Sequence, residues 1–82
     1  MTGPVERLTR EALETRNRET LLEAFVAAAR FALQDERYDD IRLPFAAAEQ
    51  LGVDADAIVE QAAEHLDEDE AALLIAFAEG RP

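Results

Sequence analysis

The 82-residue chain contains no cysteine, serine, lysine or tryptophan, and it has a single histidine, His65. Without cysteine the chain can form no disulfide bond. A histidine that acts as a general base needs a nucleophile to activate, and neither a serine, a cysteine nor a second histidine is present. We therefore predict that the chain is not an enzyme.

The absence of serine also excludes a class of protein to which the acidity and the length point. Acyl and peptidyl carrier proteins are small acidic helical domains, and they need a serine to hold the phosphopantetheine arm. A chain without serine cannot carry that group. We therefore expect no attached cofactor, and nothing else in the sequence indicates a cofactor site.

Metal sites are not expected either, although carboxylates are frequent. An EF-hand loop that began at Asp67 would place Ala72 where glycine is required and Ala78 where glutamate is required. Ala62 stands three residues before His65, so the Glu-x-x-His pair of carboxylate-bridged di-iron bundles is absent. The carboxylates are expected to cap helices and to face solvent.

Long hydrophobic runs are also absent. No window approaches the roughly 18 apolar residues that a membrane-spanning helix needs. Residues 1–15 carry five charges and no apolar segment, which is unlike a secretory signal peptide. We expect a single helical domain over residues 1–82, with a cytoplasmic location and no membrane partner.

The chain is rich in negative charge and in alanine. Nineteen aspartate and glutamate residues stand against eight arginines, which gives a formal net charge of -11. Acidic surfaces are typical of salt-adapted proteins and also of inhibitors that imitate nucleic acid. Seventeen residues are alanine, which favours helix but buries little area. The core must then be thin, and its candidate large residues are Leu22, Phe25, Val26, Leu33, Ile58, Leu66, Leu74, Ile75 and Phe77.

Apolar spacing and capping residues predict an all-α fold, a compact bundle of four to five helices. Pro4 suits the first position of the first helix. The segment around Asn17 lacks large apolar residues, so we favour a break there, with a new helix that starts at Leu21 behind the capping box Thr20-Leu-Leu-Glu23. One continuous helix through residue 34 is the alternative. The other expected elements are a charged loop over residues 35–43 and helices over residues 44–51, 55–66 and 68–79. Asp54 is expected to cap the helix over residues 55–66, and the Asp-x-x-Glu pair of Asp67 and Glu70 is expected to cap the last helix, with Gly52 and Gly80 as stop signals.

Residues 44–66 resemble a helix-turn-helix unit. Ala48 lies on the first helix, Gly52 follows four residues later in the turn, and Val53 and Ile58 supply the β-branched positions. This spacing predicts tri-helical packing in the C-terminal half. The positions that would face DNA bases are Asp56, Glu60, Gln61 and Glu64. Three of these four are carboxylates, which repel phosphate, so we expect the shape of the motif without nucleic-acid binding.

Two stretches are more apolar than a small domain can bury. Residues 24–33 contain one charge and residues 71–78 contain none. Helix 21–34 has an apolar arc of roughly 200°, about twice the usual width. The excess predicts an interface with a second copy, forming a dimer, or with another protein. The predicted interface residues are Phe25, Ala29, Arg30, Phe31, Leu74 and Phe77.

Arg30 is the single charge inside the first apolar stretch. It shares a narrow stripe with Glu19, Glu23 and Gln34 on helix 21–34. Two alternative roles are expected for Arg30. In the first, it lies at the edge of this stripe beside Glu23. In the second, it anchors an interface through a bidentate pair with one carboxylate.

The predicted function is a small acidic protein-interaction module, acting as a homodimer or as a regulatory subunit of a larger partner. Two alternatives are kept. One is an acidic inhibitor that imitates nucleic acid and binds a basic protein. The other is a degenerate helix-turn-helix regulator. An apolar interface should tolerate salt, whereas an acidic one should weaken with it.

Overall fold

The structure is a computed structural model that describes residues 3–80, so both ends of the predicted 1–82 domain lie outside the described residues. Within residues 3–80 the chain forms helices and no strand. The α-helices are α1 (Pro4–Thr15), α2 (Arg18–Asp35), α3 (Arg42–Leu51), α4 (Ala55–Ala63) and α5 (Glu68–Glu79), and a 3-10 turn spans Tyr38–Ile41. The predicted all-α bundle of four to five helices is confirmed.

The predicted break near Asn17 is confirmed, but the new helix starts earlier than expected. Arg16 ends α1 in the left-handed conformation, with φ of 54°. Asn17 caps α2, because its side-chain oxygen accepts hydrogen bonds from the backbone N–H groups of Glu19 and Thr20. Asparagine is a better N-cap than threonine. The start at Leu21 behind Thr20 was therefore wrong by one turn.

The α3–turn–α4 unit follows the helix-turn-helix spacing. Gly52 lies in the left-handed region at φ of 73°, and the backbone N–H of Val53 donates a hydrogen bond to the carbonyl of Ala48. Asp54 caps α4 by accepting from the backbone N–H of Asp56. α3 begins at Arg42 rather than Pro44, which places the proline in the first turn, where no backbone N–H is needed.

In the C-terminal half, α5 packs against α4 and α2. α4 lies mainly against α2 and α5, and it contacts α3 only sparingly. α4 is shorter than predicted: after Ala63 the chain makes tight turns through Leu66. The predicted Asp-x-x-Glu cap of α5 is confirmed, because Asp67 and Glu70 each accept a hydrogen bond from the other's backbone N–H.

α2 is the centre of the bundle. It contacts all four of the other α-helices and the 3-10 turn. Its inner side consists of small residues around two large ones, and none of them has exposed surface: Leu21, Ala24, Phe25, Ala28, Ala29 and Ala32. Because alanines leave little bulk between the helices, the neighbouring helices can approach α2 closely.

The predicted core was partly wrong. Phe25, Ile58 and Leu74 are fully buried, whereas Leu33 and Ile75 are each 40% exposed. Both exposed residues lie outside the buried arcs of their helices, because neighbouring helices cover the opposite sides of α2 and α5. The other four candidates, Leu22, Val26, Leu66 and Phe77, are half-buried at the edge of the core. The core also contains large residues that were not predicted, which are Val5, Leu21, Ile41 and Phe45.

One buried polar atom gives a test of this packing. The Oγ1 atom of Thr9, in α1, is fully buried and has no hydrogen-bond partner. A buried hydroxyl without a partner costs stability, so Thr9→Val should raise the free energy of unfolding by about 1 kcal/mol. Thr9→Ser is the matched control: it keeps the hydroxyl and loses a methyl group, and it should lower that free energy. Chemical denaturation measures both, and a less stable valine variant would contradict this packing.

Candidate interaction surfaces

The outer side of α2 is the first candidate surface, and we call it the α2 face. Its centre line is the polar stripe Glu19, Glu23, Arg30 and Gln34, all of which are exposed. On one flank lie Leu22, Val26 and Leu33, and on the other flank lie Ala27 and Phe31. A groove of about 660 Å³ runs along this face, and His65 from the α4–α5 turn closes one end of it.

The apolar part of the α2 face is only partly covered by the rest of the described chain. Leu22, Val26, Ala27 and Phe31 are each only half-buried. Leu33, at the C-terminal end of the same helix, is 40% exposed. Scattered exposed apolar residues are ordinary on small proteins, but several that follow one helix face on both flanks of its centre line are typical of a binding surface.

Arg30 links the α2 face to the start of α5. Its Nη2 atom donates a hydrogen bond of 3.1 Å to the backbone carbonyl of His65. Its Nε atom lies 3.9 Å from the Oε1 atom of Glu70, whose side chain is 12% exposed. The guanidinium thus holds the α4–α5 turn against α2. This contact was not predicted, because neither of the two roles expected for Arg30 involves Glu70.

A second groove of about 520 Å³ lies between α3 and α5. Phe45 and Phe77 form its floor, with ring centroids 5.4 Å apart. Phe45 also packs edge-on against Phe25, at 4.8 Å and 89°. Ala46 and Ala76 line the sides of the groove. The aromatic rings of this groove therefore already stabilise the fold, which leaves less of their surface for a partner.

The predicted interface residues separate into two groups. Phe25, Ala29 and Leu74 are fully buried within the chain. A partner cannot touch these three side chains in this fold, because α2 and α5 use them to pack the core, so we leave them out of the interface. Phe31 and Phe77 are half-buried and Arg30 is exposed. These three are accessible, but the α2 face contains only Arg30 and Phe31.

Sequence reasoning placed Leu22, Val26 and Leu33 in the core, whereas they belong to the α2 face. The sequence does indicate that part of the helix has an outward apolar surface, because its apolar arc is too wide to be buried on one side alone. The sequence could not show which part of that arc the other helices cover. The polar stripe, which looked like the solvated edge of the helix, is the centre line of the outer face.

The exposed side of α4 has the charge that the sequence predicted. Asp56, Glu60, Gln61 and Glu64 are all exposed. His65 is exposed as well, and its backbone carbonyl accepts from Arg30. Among residues 3–80, no three histidine, cysteine or acidic side chains come together in a group that would hold a metal ion.

Comparison with known proteins gives no relative: no family model matches the chain, and neither a curated protein nor a solved structure matches it. The helices of residues 3–80 were also tested for length and hydropathy, and none is both long and apolar enough to cross a lipid bilayer.

The role of Arg30 in the fold can be tested at its carboxylate partner. Glu70→Gln removes the charge that faces Arg30 but keeps an oxygen that can accept from Asp67. We expect the free energy of unfolding to fall by about 0.5 kcal/mol, because Arg30 is half exposed and the contact is long. The matched control is Glu68→Gln, since Glu68 is exposed in the same first turn and both variants lose one charge near the helix N-terminus. Equal effects of the two variants in thermal unfolding would contradict the contact.

The acidic side of α4 leads to a prediction for DNA. We expect no binding to duplex DNA at physiological salt, because the helix that would enter the groove presents carboxylates to the phosphates. A mobility-shift titration with mixed-sequence DNA at low and moderate salt measures this. A shift at low micromolar protein that weakens steeply with salt would contradict the prediction, and would point to the exposed arginines Arg7, Arg10 and Arg18.

Proposed function

We propose that this chain is a non-catalytic protein-interaction module, and that it binds a partner chain through the α2 face. The observation that supports the proposal is the set of apolar side chains on the two flanks of the α2 face, which we call the row: Leu22, Val26, Ala27, Phe31 and Leu33. Leu22, Val26 and Phe31 remain half-buried although α2 is the helix that every other α-helix contacts. A partner that covered this row would bury the apolar area that the fold leaves exposed.

The charges around the row favour a protein partner over nucleic acid. The centre line carries two carboxylates and one guanidinium, so the face has both signs of charge beside its apolar flanks. Interfaces between proteins pair charges of opposite sign beside apolar contacts. A surface for phosphates would instead need a cluster of cations.

The helix that carries the α2 face is also held in place by the rest of the chain. Arg30 joins the face to the α4–α5 turn through the carbonyl of His65 and the carboxylate of Glu70. The helix beneath the face is packed on its inner side by fully buried alanines. Side chains on a rigid helix lose less conformational freedom on binding than side chains on a loop.

The test is a capture experiment with charge introduced into the row. A tagged chain is incubated with untagged chain and, separately, with cell extract, at low and at high salt. Val26→Glu should abolish the association, because it places a carboxylate among the apolar side chains of the interface. Ala72→Glu is the matched control, since Ala72 is exposed on α5 and outside the α2 face.

The capture experiment also separates the proposed function from the acidic-inhibitor alternative. Association through the α2 face should be lost in Val26→Glu and should weaken only in part at high salt, because its apolar flanks are not screened by salt. Association that is lost at high salt but unchanged in Val26→Glu would contradict the proposal and support the acidic inhibitor. Ala27→Glu provides a second variant, and thermal unfolding of both variants checks that each is folded.

A further inference from the structure

We infer that the partner of the α2 face is a second copy of this chain, with the two α2 helices antiparallel across a two-fold axis near Val26 and Ala27. The inference rests on the proposed function and adds the identity of the partner and the register of the pair. It follows from the order of the charges along the centre line of the face and from the residues on its two flanks.

The charges on the centre line are self-complementary in the antiparallel arrangement. The midpoint between residues 26 and 27 lies halfway between Glu23 and Arg30, and also halfway between Glu19 and Gln34. A two-fold axis at that midpoint therefore places Glu23 opposite Arg30 of the partner subunit, twice per dimer. It also places Glu19 opposite Gln34 of the partner subunit, whose amide can donate to a carboxylate.

A parallel pair is disfavoured by the same charges. If the two-fold axis ran along the helices, Glu19 and Glu23 would each face the same residue of the second copy. Like charges in direct contact oppose association. The antiparallel arrangement replaces these repulsive contacts with attractive ones.

Arg30 is available for a contact of this kind. Its side chain is 49% exposed, and the 3.9 Å distance to Glu70 is long for an ion pair. A guanidinium has five N–H donors, so the hydrogen bond to the carbonyl of His65 leaves donors for a second carboxylate. Arg30 can therefore hold the α4–α5 turn and contact the partner subunit at once.

The flanks of the face agree with the same axis. A two-fold axis perpendicular to the helices keeps each flank on its own side of the interface. Leu22 then lies near Leu33 of the partner subunit, and Val26 lies close to its own symmetry mate. This arrangement gives Leu33, which is 40% exposed in the single chain, an apolar contact. On the other flank Ala27 faces Ala27 of the partner subunit, where two small side chains allow close approach.

The overall charge does not prevent the pairing. The centre line has two carboxylates and one guanidinium, and so carries a charge of -1 of the total of -11. Pairing through this face therefore brings together only a small part of the negative charge of each chain. Because a single pair of helices forms a small interface, we expect a dissociation constant in the micromolar range.

The experiment adds an ion pair to the proposed register. Gln34→Arg places a guanidinium opposite Glu19 of the partner subunit, twice per dimer. Sedimentation equilibrium of the full chain, from low to several hundred micromolar, should show a dissociation constant about threefold to tenfold lower than that of the unaltered chain. Gln34→Glu should raise the dissociation constant. The matched control is Gln61→Arg, which makes the same change of charge at an exposed position on α4 and should leave the constant nearly unchanged.

Two results would overturn the inference. One is equal tightening by Gln34→Arg and Gln61→Arg, which would show that only the net charge matters. The other is a chain that stays monomeric at several hundred micromolar. In either case capture of another protein that is lost in Val26→Glu and kept in Ala72→Glu would leave the proposed function standing, with a different partner. If capture of the other protein were also unaffected by Val26→Glu, both the inference and the proposed function would be contradicted.

Discussion

The small size of the side chains on the inner side of α2 is the constraint on which the structure depends. The inner side of α2 is built from alanines with only Leu21 and Phe25 among them, and all of these residues are fully buried. Because alanine fills little volume, the other helices can pack tightly around one central helix in a chain of this size. Leu22, Val26, Phe31 and Leu33, the other large apolar residues of α2, lie on the outer part of the helix. The thin core and the apolar outer face are therefore two consequences of one distribution of side chains.

Contacts in both halves of α2 hold the helix in this arrangement. Asn17 starts the helix where α1 turns back, and Arg30 connects its C-terminal half to α5 through Glu70. Glu70 also caps α5 together with Asp67, so a single carboxylate serves a helix cap and a contact between helices. On the other side, Phe45 contacts both Phe25 and Phe77 and so joins α3 to α2 and α5.

The order of the helices could be predicted because the signals that begin and end helices are local. The caps at Asp54 and Asp67 and the left-handed Gly52 depend on neighbours within a few residues, and all three are found in the structure. The positions of side chains across the bundle depend on distant segments and could not be predicted in this way. Ile41 is fully buried although it follows a charged segment, because the 3-10 turn packs against α2. The partner of Arg30 at His65 is 35 residues away in sequence.

The candidate site shows the same division between local pattern and distant packing. The width of the apolar arc indicated that α2 has more apolar surface than one buried side needs, and two of the predicted interface residues, Arg30 and Phe31, lie on accessible surface. The assignment of Phe25 and Ala29 to that surface required knowledge of where α1, α3 and α4 lie, which the pattern of one helix does not contain.

A dilution series followed by amide chemical shifts maps the residues that change environment when the chain associates. We expect concentration-dependent shifts that concentrate on the α2 face, at Leu22, Val26, Ala27 and Arg30, while the exposed residues of α4 stay constant. Shifts confined to α5 or to the α3–α5 groove would contradict association through the α2 face and would place the interaction surface elsewhere.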